Sequence, residues 1–197
     1  MCGRYYIGLD SEEEWLAILE ALNRKGAPEG MKTSGEIFPS DIVPVLANNR
    51  QGERRPFAMR WGYSFPGGRP VINARAETAE TKPLFRDGMR QRRCLVPASH
   101  YFEWERCGEA RRKYALRPAH AGMFYLAGIY HWENHSGALY PTFALLTRQA
   151  APEIAFIHER MPVILPRERV RDWLCPQNAA QDVLQSARND MEYHPAR

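Results

Sequence analysis

A cysteine stands directly behind the initiator methionine, in MCGRYY, where it can do chemistry closed to any internal cysteine. Once Met1 is removed, Cys2 carries a free 1,2-aminothiol. Its α-amine titrates near ~7.7–8.0 against ~10.4 for lysine, so the nucleophilic form is several hundredfold more abundant at neutral pH. Such an amine condenses with an aldehyde to an imine, and the β-thiol of the same residue closes onto the imine carbon as a five-membered thiazolidine. Gly3 lets the backbone approach a substrate closely, and Arg4 can hold an anion beside it. A cysteine in second place also fits routine methionine removal before a small residue, so its meaning depends on what else converges there.

Three further stretches hold suitable polar groups. In VINARAET, strand alternation sends Asn73, Arg75 and Glu77 to one face and Ile72, Ala74 and Ala76 to the other. Asn73 can donate and accept, and Arg75 can clasp a phosphate bidentately. A solvated edge strand has the same pattern. In HYFEWER, Phe102 and Trp104 are expected toward the core, with Tyr101, Glu103 and Glu105 on the opposite face. A glutamate between aromatics is desolvated, which raises its pKa toward the range of a proton shuttle; the plain alternative is an ion pair with a neighbouring arginine. In IHERMP, His158 lies at a helix–strand junction with Arg160 two residues on, so an extended backbone points a titratable ring and a phosphate ligand the same way. A structural histidine fits the same boundary. WGYSFP adds Trp61, Tyr63 and Phe65, rings that either fill the core or stack on bases.

These groups must be positioned by a fold that the remaining pattern outlines. Residues 11–24 read as a helix, with Ser11 and Glu14 as a capping box, Trp15, Ile18, Leu19 and Leu22 at helical spacing, and Gly26 just past the end. Between about 36 and 147, short apolar runs broken by Pro and Gly read as strands of a mainly antiparallel system. Pro152 opens a short helix, MPVIL reads as a strand, and two more helices are expected near 167–174 and 178–188. The expectation is an α+β chain, residues 1–197 forming one domain, with a sheet or open-barrel core flanked by short helices.

Composition narrows the function classes. Lys and Arg number 27 against 23 Asp and Glu, a formal net charge of +4, compatible with a polyanionic partner without demanding one. Arg90, Arg92, Arg93, Arg106, Arg111 and Arg112 cluster in one central segment, a pattern that a solvated face also produces. The first residues are polar, unlike a signal peptide, and no apolar run is of membrane-spanning length, so a cytoplasmic, DNA-associated location is expected. Four cysteines without CxxC pairing suggest reduced thiols. His131 and His135 are four apart but fall in HWENHSG, which reads as a hairpin loop, so no metal site is expected.

MCGR at the start, then WGY, INARAET, FEW and HERMP, in that order, make the chain resemble the SOS response-associated peptidase (SRAP) family. The resemblance runs from residue 2 to about 165. It implies single-stranded DNA as partner, abasic sites as substrate, a β-rich α+β domain with a basic groove leading to the N-terminus, action as a monomer and no cofactor. It further implies Cys2 as the nucleophile that forms a thiazolidine with the ring-opened deoxyribose, Asn73 as the residue orienting the N-terminus and lesion, Glu103 as proton shuttle and His158 as the group assisting ring opening and adduct release. Arg4, Arg75 and Arg160 correspond to phosphate ligands, and Trp61 joins the DNA-contacting set. The chain departs from the pattern after WGY, where SFPGGRP lacks a Pro-Trp element, and its C-terminal part is short.

Two other readings share some of these features. Class II glutamine amidotransferases also begin Met-Cys-Gly and use the cysteine on an amide, although here position 4 is arginine and no downstream segment reads as a glutamine pocket. A non-covalent single-strand-binding module would use the arginines and aromatics alone.

Overall fold

The Pro- and Gly-punctuated apolar runs do form strands. A computed structural model describes residues 2–65, 67–135 and 137–196. The N-terminal part contains β1 (Tyr5–Ile7), α1 (Glu13–Asn23), β2 (Gly35–Ile37), β3 (Ile42–Asn48), β4 (Arg54–Trp61) and β5 (Asn73–Arg75). Then follow α2 (Pro83–Gln91), β6 (Arg93–Ala98), β7 (His100–Cys107), β8 (Ala110–Pro118), β9 (Phe124–His135) and β10 (Ala138–Gln149). The chain ends with β11 (Arg160–Pro162), β12 (Ile164–Leu165), α3 (Val170–Leu174), α4 (Ala180–Leu184) and β13 (Met191–Pro195).

The strands make two layers. One is a five-stranded antiparallel sheet in the order β13-β8-β7-β1-β2. In the other, β10, β4, β3, β6 and β9 close on themselves, because β9 pairs back to β10 from Gly128↔Leu145 to His135↔Ala138. A ring of five strands cannot alternate direction all the way round. The parallel neighbours are β4 and β10, with Thr142↔Arg60 and Phe143↔Trp61 in register, and closure leaves the ring no free edge. β5 also runs parallel to β10, and β11 antiparallel to it. The α+β class and the barrel-like, mainly antiparallel core are as the sequence implies.

The layers meet where Tyr5 of β1 packs on Trp61 of β4, ring centroids 5.3 Å apart, and Trp61 stacks on Phe143 at 6.3 Å. Each of the fully buried Trp15, Trp61 and Trp173 contributes on the order of 2–3 kcal/mol through removal of its apolar surface from water. The glycine of the WGY motif is structural. Gly62 has φ of 112°, and a Cβ there would stand 2.8 Å from Pro70 Cβ, so only glycine fits.

Several local expectations are corrected. Helix α1 buries Trp15, Ile18 and Leu22 as its spacing predicts, but no capping box forms. Glu14 is drawn away: it accepts the Tyr125 hydroxyl at 2.5 Å and pairs with Arg54 and Arg167. Helix α2 falls inside the stretch read as strands, and Pro83 in its first turn is the start signal that applies. HWENHSG is no loop up to His135: β9 runs through it, and His131 stacks on Tyr63 at 3.8 Å. Helical turns cover 167–174 as expected, a 3-10 turn at Arg167–Arg169 running into α3, but the helix expected near 178–188 is only the five-residue α4, and β13 adds an unforeseen edge strand.

The faces of HYFEWER are the reverse of the expected ones. Tyr101 and Glu103 turn into the interior, while Phe102 and Trp104 lie on the outer face of the five-stranded sheet. That outer face is roofed by rings and cations: Lys113 sits 4.0 Å over Phe102, Tyr6 stacks on His100 at 4.6 Å, and Arg4 lies 4.1 Å over Phe38 and 5.2 Å from Trp104. Cation–π contact and lysine or arginine stems let aromatic side chains bury on a face that is otherwise polar.

Candidate active site

Cys2 lies at the junction of the two layers and is fully buried. The turn into β1 brings it there, because the Arg4 carbonyl accepts from Phe102 N–H at 2.9 Å and so fixes the first residues against β7. From the barrel side, β5 supplies Asn73, whose Nδ2 donates to the Cys2 carbonyl at 2.8 Å. Among the described residues the buried Asn73 Oδ1 has no hydrogen-bond partner, an acceptor left for the Cys2 amine or a bound hydroxyl. In the same stretch Ala74 and Ala76 are buried while Arg75 and Glu77 are exposed, so these four alternate between faces as expected.

From the sheet side, β7 supplies Glu103, 4% exposed. Burial raises its pKa to about 7, where the carboxyl is part protonated at neutral pH and can both give and take a proton. The Cys2 thiol is pushed far above its ordinary value, chiefly by burial and further by the Glu103 carboxylate. It is therefore a neutral thiol in this structure and needs a base to become a nucleophile.

The third side comes from the turn between a single 3-10 turn at Pro152–Ile154 and β11. There His158 Nδ1 accepts the Arg160 backbone N–H at 2.9 Å, so the neutral ring carries its proton on Nε2. Burial lowers the His158 pKa, which keeps the ring neutral at pH 7. Glu103 and His158 face one hollow of about 600 Å³, walled by Trp104, Arg106 and Arg111. Arg106 and Arg111 are register partners across the β7–β8 hairpin. Neither was singled out from the sequence beyond its place in the arginine-rich segment.

The remaining arginines divide. Arg75 is exposed. The Arg4 guanidinium pairs with Glu36 at 3.1 Å, and the Arg160 guanidinium is bound by both oxygens of Glu77, at 2.7 and 2.8 Å. Arg93 does not belong to a DNA-facing set. It is 6% exposed, and its guanidinium donates to the carbonyls of Met89 and Asn178 at 2.6 and 2.9 Å, tying α2 to the α3–α4 connection. Trp61 is likewise corrected: it is wholly buried, its indole N–H donates to the Ile72 carbonyl at 3.0 Å, and it offers no face to a base. The exposed ring of that segment is Phe65, at 57%.

Among the described residues there is no group of three or more His, Cys, Asp or Glu able to hold a metal ion, and no helix is long and apolar enough to cross a membrane. The His135 side chain and Met1 lie outside the described residues.

A family described as SOS response associated peptidase (SRAP) matches residues 1–197. The abasic site processing proteins YoaM and YobE of Bacillus subtilis are 36% and 33% identical to it, each over 94% of this chain and over 84% and 87% of their own lengths. A phage-related protein of Bordetella bronchiseptica, solved by crystallography, superposes with a TM-score of 0.77 at 25% identity, covering 100% of this chain and 94% of its own. The chain belongs to the SOS response-associated peptidase family.

Proposed function

We propose that this chain binds single-stranded DNA and, once Met1 has been removed, captures abasic sites as a covalent thiazolidine on Cys2. The relatives named for abasic site processing supply the substrate class. The observation that carries the chemistry is the convergence on residue 2 of Asn73, bonded to its carbonyl, and of the buried Glu103, whose charge acts on its thiol.

The Cys2 amine adds to the C1′ aldehyde of the ring-opened deoxyribose, and the carbinolamine loses water to give the imine. The protonated Glu103 carboxyl donates to the departing hydroxyl, and the resulting carboxylate then takes the Cys2 thiol proton. The imine nitrogen keeps its proton as water leaves, sulfur adds to the imine carbon, and the ring closes with Glu103 protonated again and water as the only by-product. His158, with its proton on Nε2, is suited to donate toward the sugar oxygen during ring opening and, in reverse, during release. Arg106 and Arg111 flank the hollow and, with the exposed Arg75, supply phosphate contacts. Autocatalytic removal of Met1 and lyase cleavage at the lesion are activities the same site is expected to accompany, in a protein that acts as a monomer.

The test is incubation of Met1-processed protein with an oligonucleotide carrying one abasic site, followed by a denaturing gel. A shifted band that Cys2→Ala abolishes is the expected result. No band from processed protein overturns the reading. Ammonia release from glutamine would favour amidotransferase chemistry, and salt-sensitive binding of intact DNA with no covalent product would favour a simple binding module.

A further inference from the structure

Glu77 stands two residues past β5, half exposed, and no step above uses it. Its carboxylate nevertheless makes a two-point ion pair near the site. Arg160 Nη1 donates to Glu77 Oε1 at 2.7 Å and Nη2 to Oε2 at 2.8 Å, while Nη2 also donates to the Thr147 carbonyl at 2.7 Å. The Arg160 side chain is 13% exposed. A guanidinium so committed is poorly placed to turn outward to a phosphate, but well placed to lock the backbone that carries it. That backbone matters, because the Arg160 N–H donates to His158 Nδ1 at 2.9 Å and so decides which ring nitrogen holds the proton. The lock spans three strands: the segment leaving β5 through Glu77, β10 through Thr147, and β11 through Arg160.

We propose that Glu77 is a positioning residue for His158: it fixes the Arg160 guanidinium against β10, Arg160 thereby holds its backbone N–H on His158 Nδ1, and the ring is kept with its proton on Nε2. The inference deepens the abasic-site reading and rests on it for the role of the ring, though not for its geometry. It also moves Arg160 from phosphate ligand to clamp.

The experiment compares wild type, Glu77→Ala and Glu77→Gln in three measurements. Imidazole nitrogen NMR, with His158 assigned by its loss in His158→Gln, reads the tautomer. Single-turnover cross-linking at saturating abasic single-stranded DNA reads the rate. Binding of intact single-stranded DNA in a Cys2→Ala background reads affinity and its salt dependence. Glu77→Ala is expected to populate both tautomers and to slow cross-linking by about tenfold, from loss of alignment, with affinity changed less than about twofold. Glu77→Gln keeps one acceptor and is expected to lose less; where Glu77→Ala unfolds, Glu77→Gln carries the comparison. An unchanged tautomer in a folded variant overturns the proposal, whatever the rate. So does tighter binding with a steeper salt dependence, which would make Glu77 a competitor of phosphate for Arg160. Absence of any adduct from wild type defeats the abasic-site reading instead, and the tautomer then still decides the role of Glu77.

Discussion

The Asn73 carboxamide donates to the Cys2 carbonyl at 2.8 Å, and this single bond ties the barrel layer to the chain terminus that belongs to the other layer. Two short strands, β1 and β5, thus share responsibility for where Cys2 sits. A neutral hydrogen bond contributes only about 1 kcal/mol, but alignment of a nucleophile is worth far more. Asn73→Ala is therefore expected to leave the melting temperature nearly unchanged and to slow cross-linking by about 10–100-fold, measured under single turnover. A rate within about twofold of wild type would remove Asn73 from the mechanism.

Glu103 links chemistry to stability. Its folded pKa of about 7 lies above the ordinary 4.5, so the native state holds a proton that the unfolded chain has already released. Stability falls as pH rises from the ordinary value to the folded one, and levels off above it. Glu103→Gln removes that loss, so the variant is expected to be more stable than wild type by about 3 kcal/mol at pH 8, the gap narrowing toward pH 5. Denaturant unfolding at the two pH values measures it. The same variant should form adduct about a hundredfold more slowly while binding intact single-stranded DNA normally. Equal loss in both would make Glu103 structural.

The polar face of NARAET was readable because alternation with alanine leaves one arrangement compatible with burial, and Ala74 and Ala76 do turn inward. HYFEWER misled for a related reason. Alternation fixes which residues share a face but not which face is the core, and the ring-and-cation roof over Phe102 and Trp104 comes from outside the stretch, from Lys113 on the neighbouring β8 and from Arg4 and Phe38 far away in sequence. The desolvation of Glu103 is legible all the same, since its aromatic neighbours predict burial on either face. Long-range choices explain the other misses. Glu14 prefers Tyr125, Arg54 and Arg167 to its own helix cap, and Glu77 takes Arg160 from the far side of β10. No local spacing announces such partners.

Trp61 tests the line between core and DNA surface. Its indole is buried between Tyr5 and Phe143 and bonded to the Ile72 carbonyl. Trp61→Ala is expected to cost about 3–5 kcal/mol, read by denaturant unfolding, with any change in DNA binding following the loss of folded protein. Phe65→Ala, on the exposed ring of the same segment, should do the opposite: unchanged stability and single-strand affinity weakened by about 1–3 kcal/mol through lost stacking. A stable Trp61→Ala protein with impaired DNA binding would return Trp61 to the surface.

The arginines permit a sharper separation, because phosphate contacts leave a signature that packing does not. Each phosphate neutralised on a single strand contributes about 0.7 to the slope of log affinity against log salt. Arg106 and Arg111 face each other across β7 and β8 on the wall of the hollow that holds Glu103 and His158, and Arg75 is exposed beyond Asn73. Changing any one of these to Ala, in a Cys2→Ala background, should lower the slope by about 0.7 and leave the melting temperature alone. Arg93→Ala should instead lower the melting temperature and leave the slope unchanged, since that guanidinium is spent on the carbonyls of Met89 and Asn178. Salt titrations of fluorescent single-stranded DNA binding give all four slopes. Unchanged slopes for Arg75, Arg106 and Arg111 would place the DNA path on another face of the molecule.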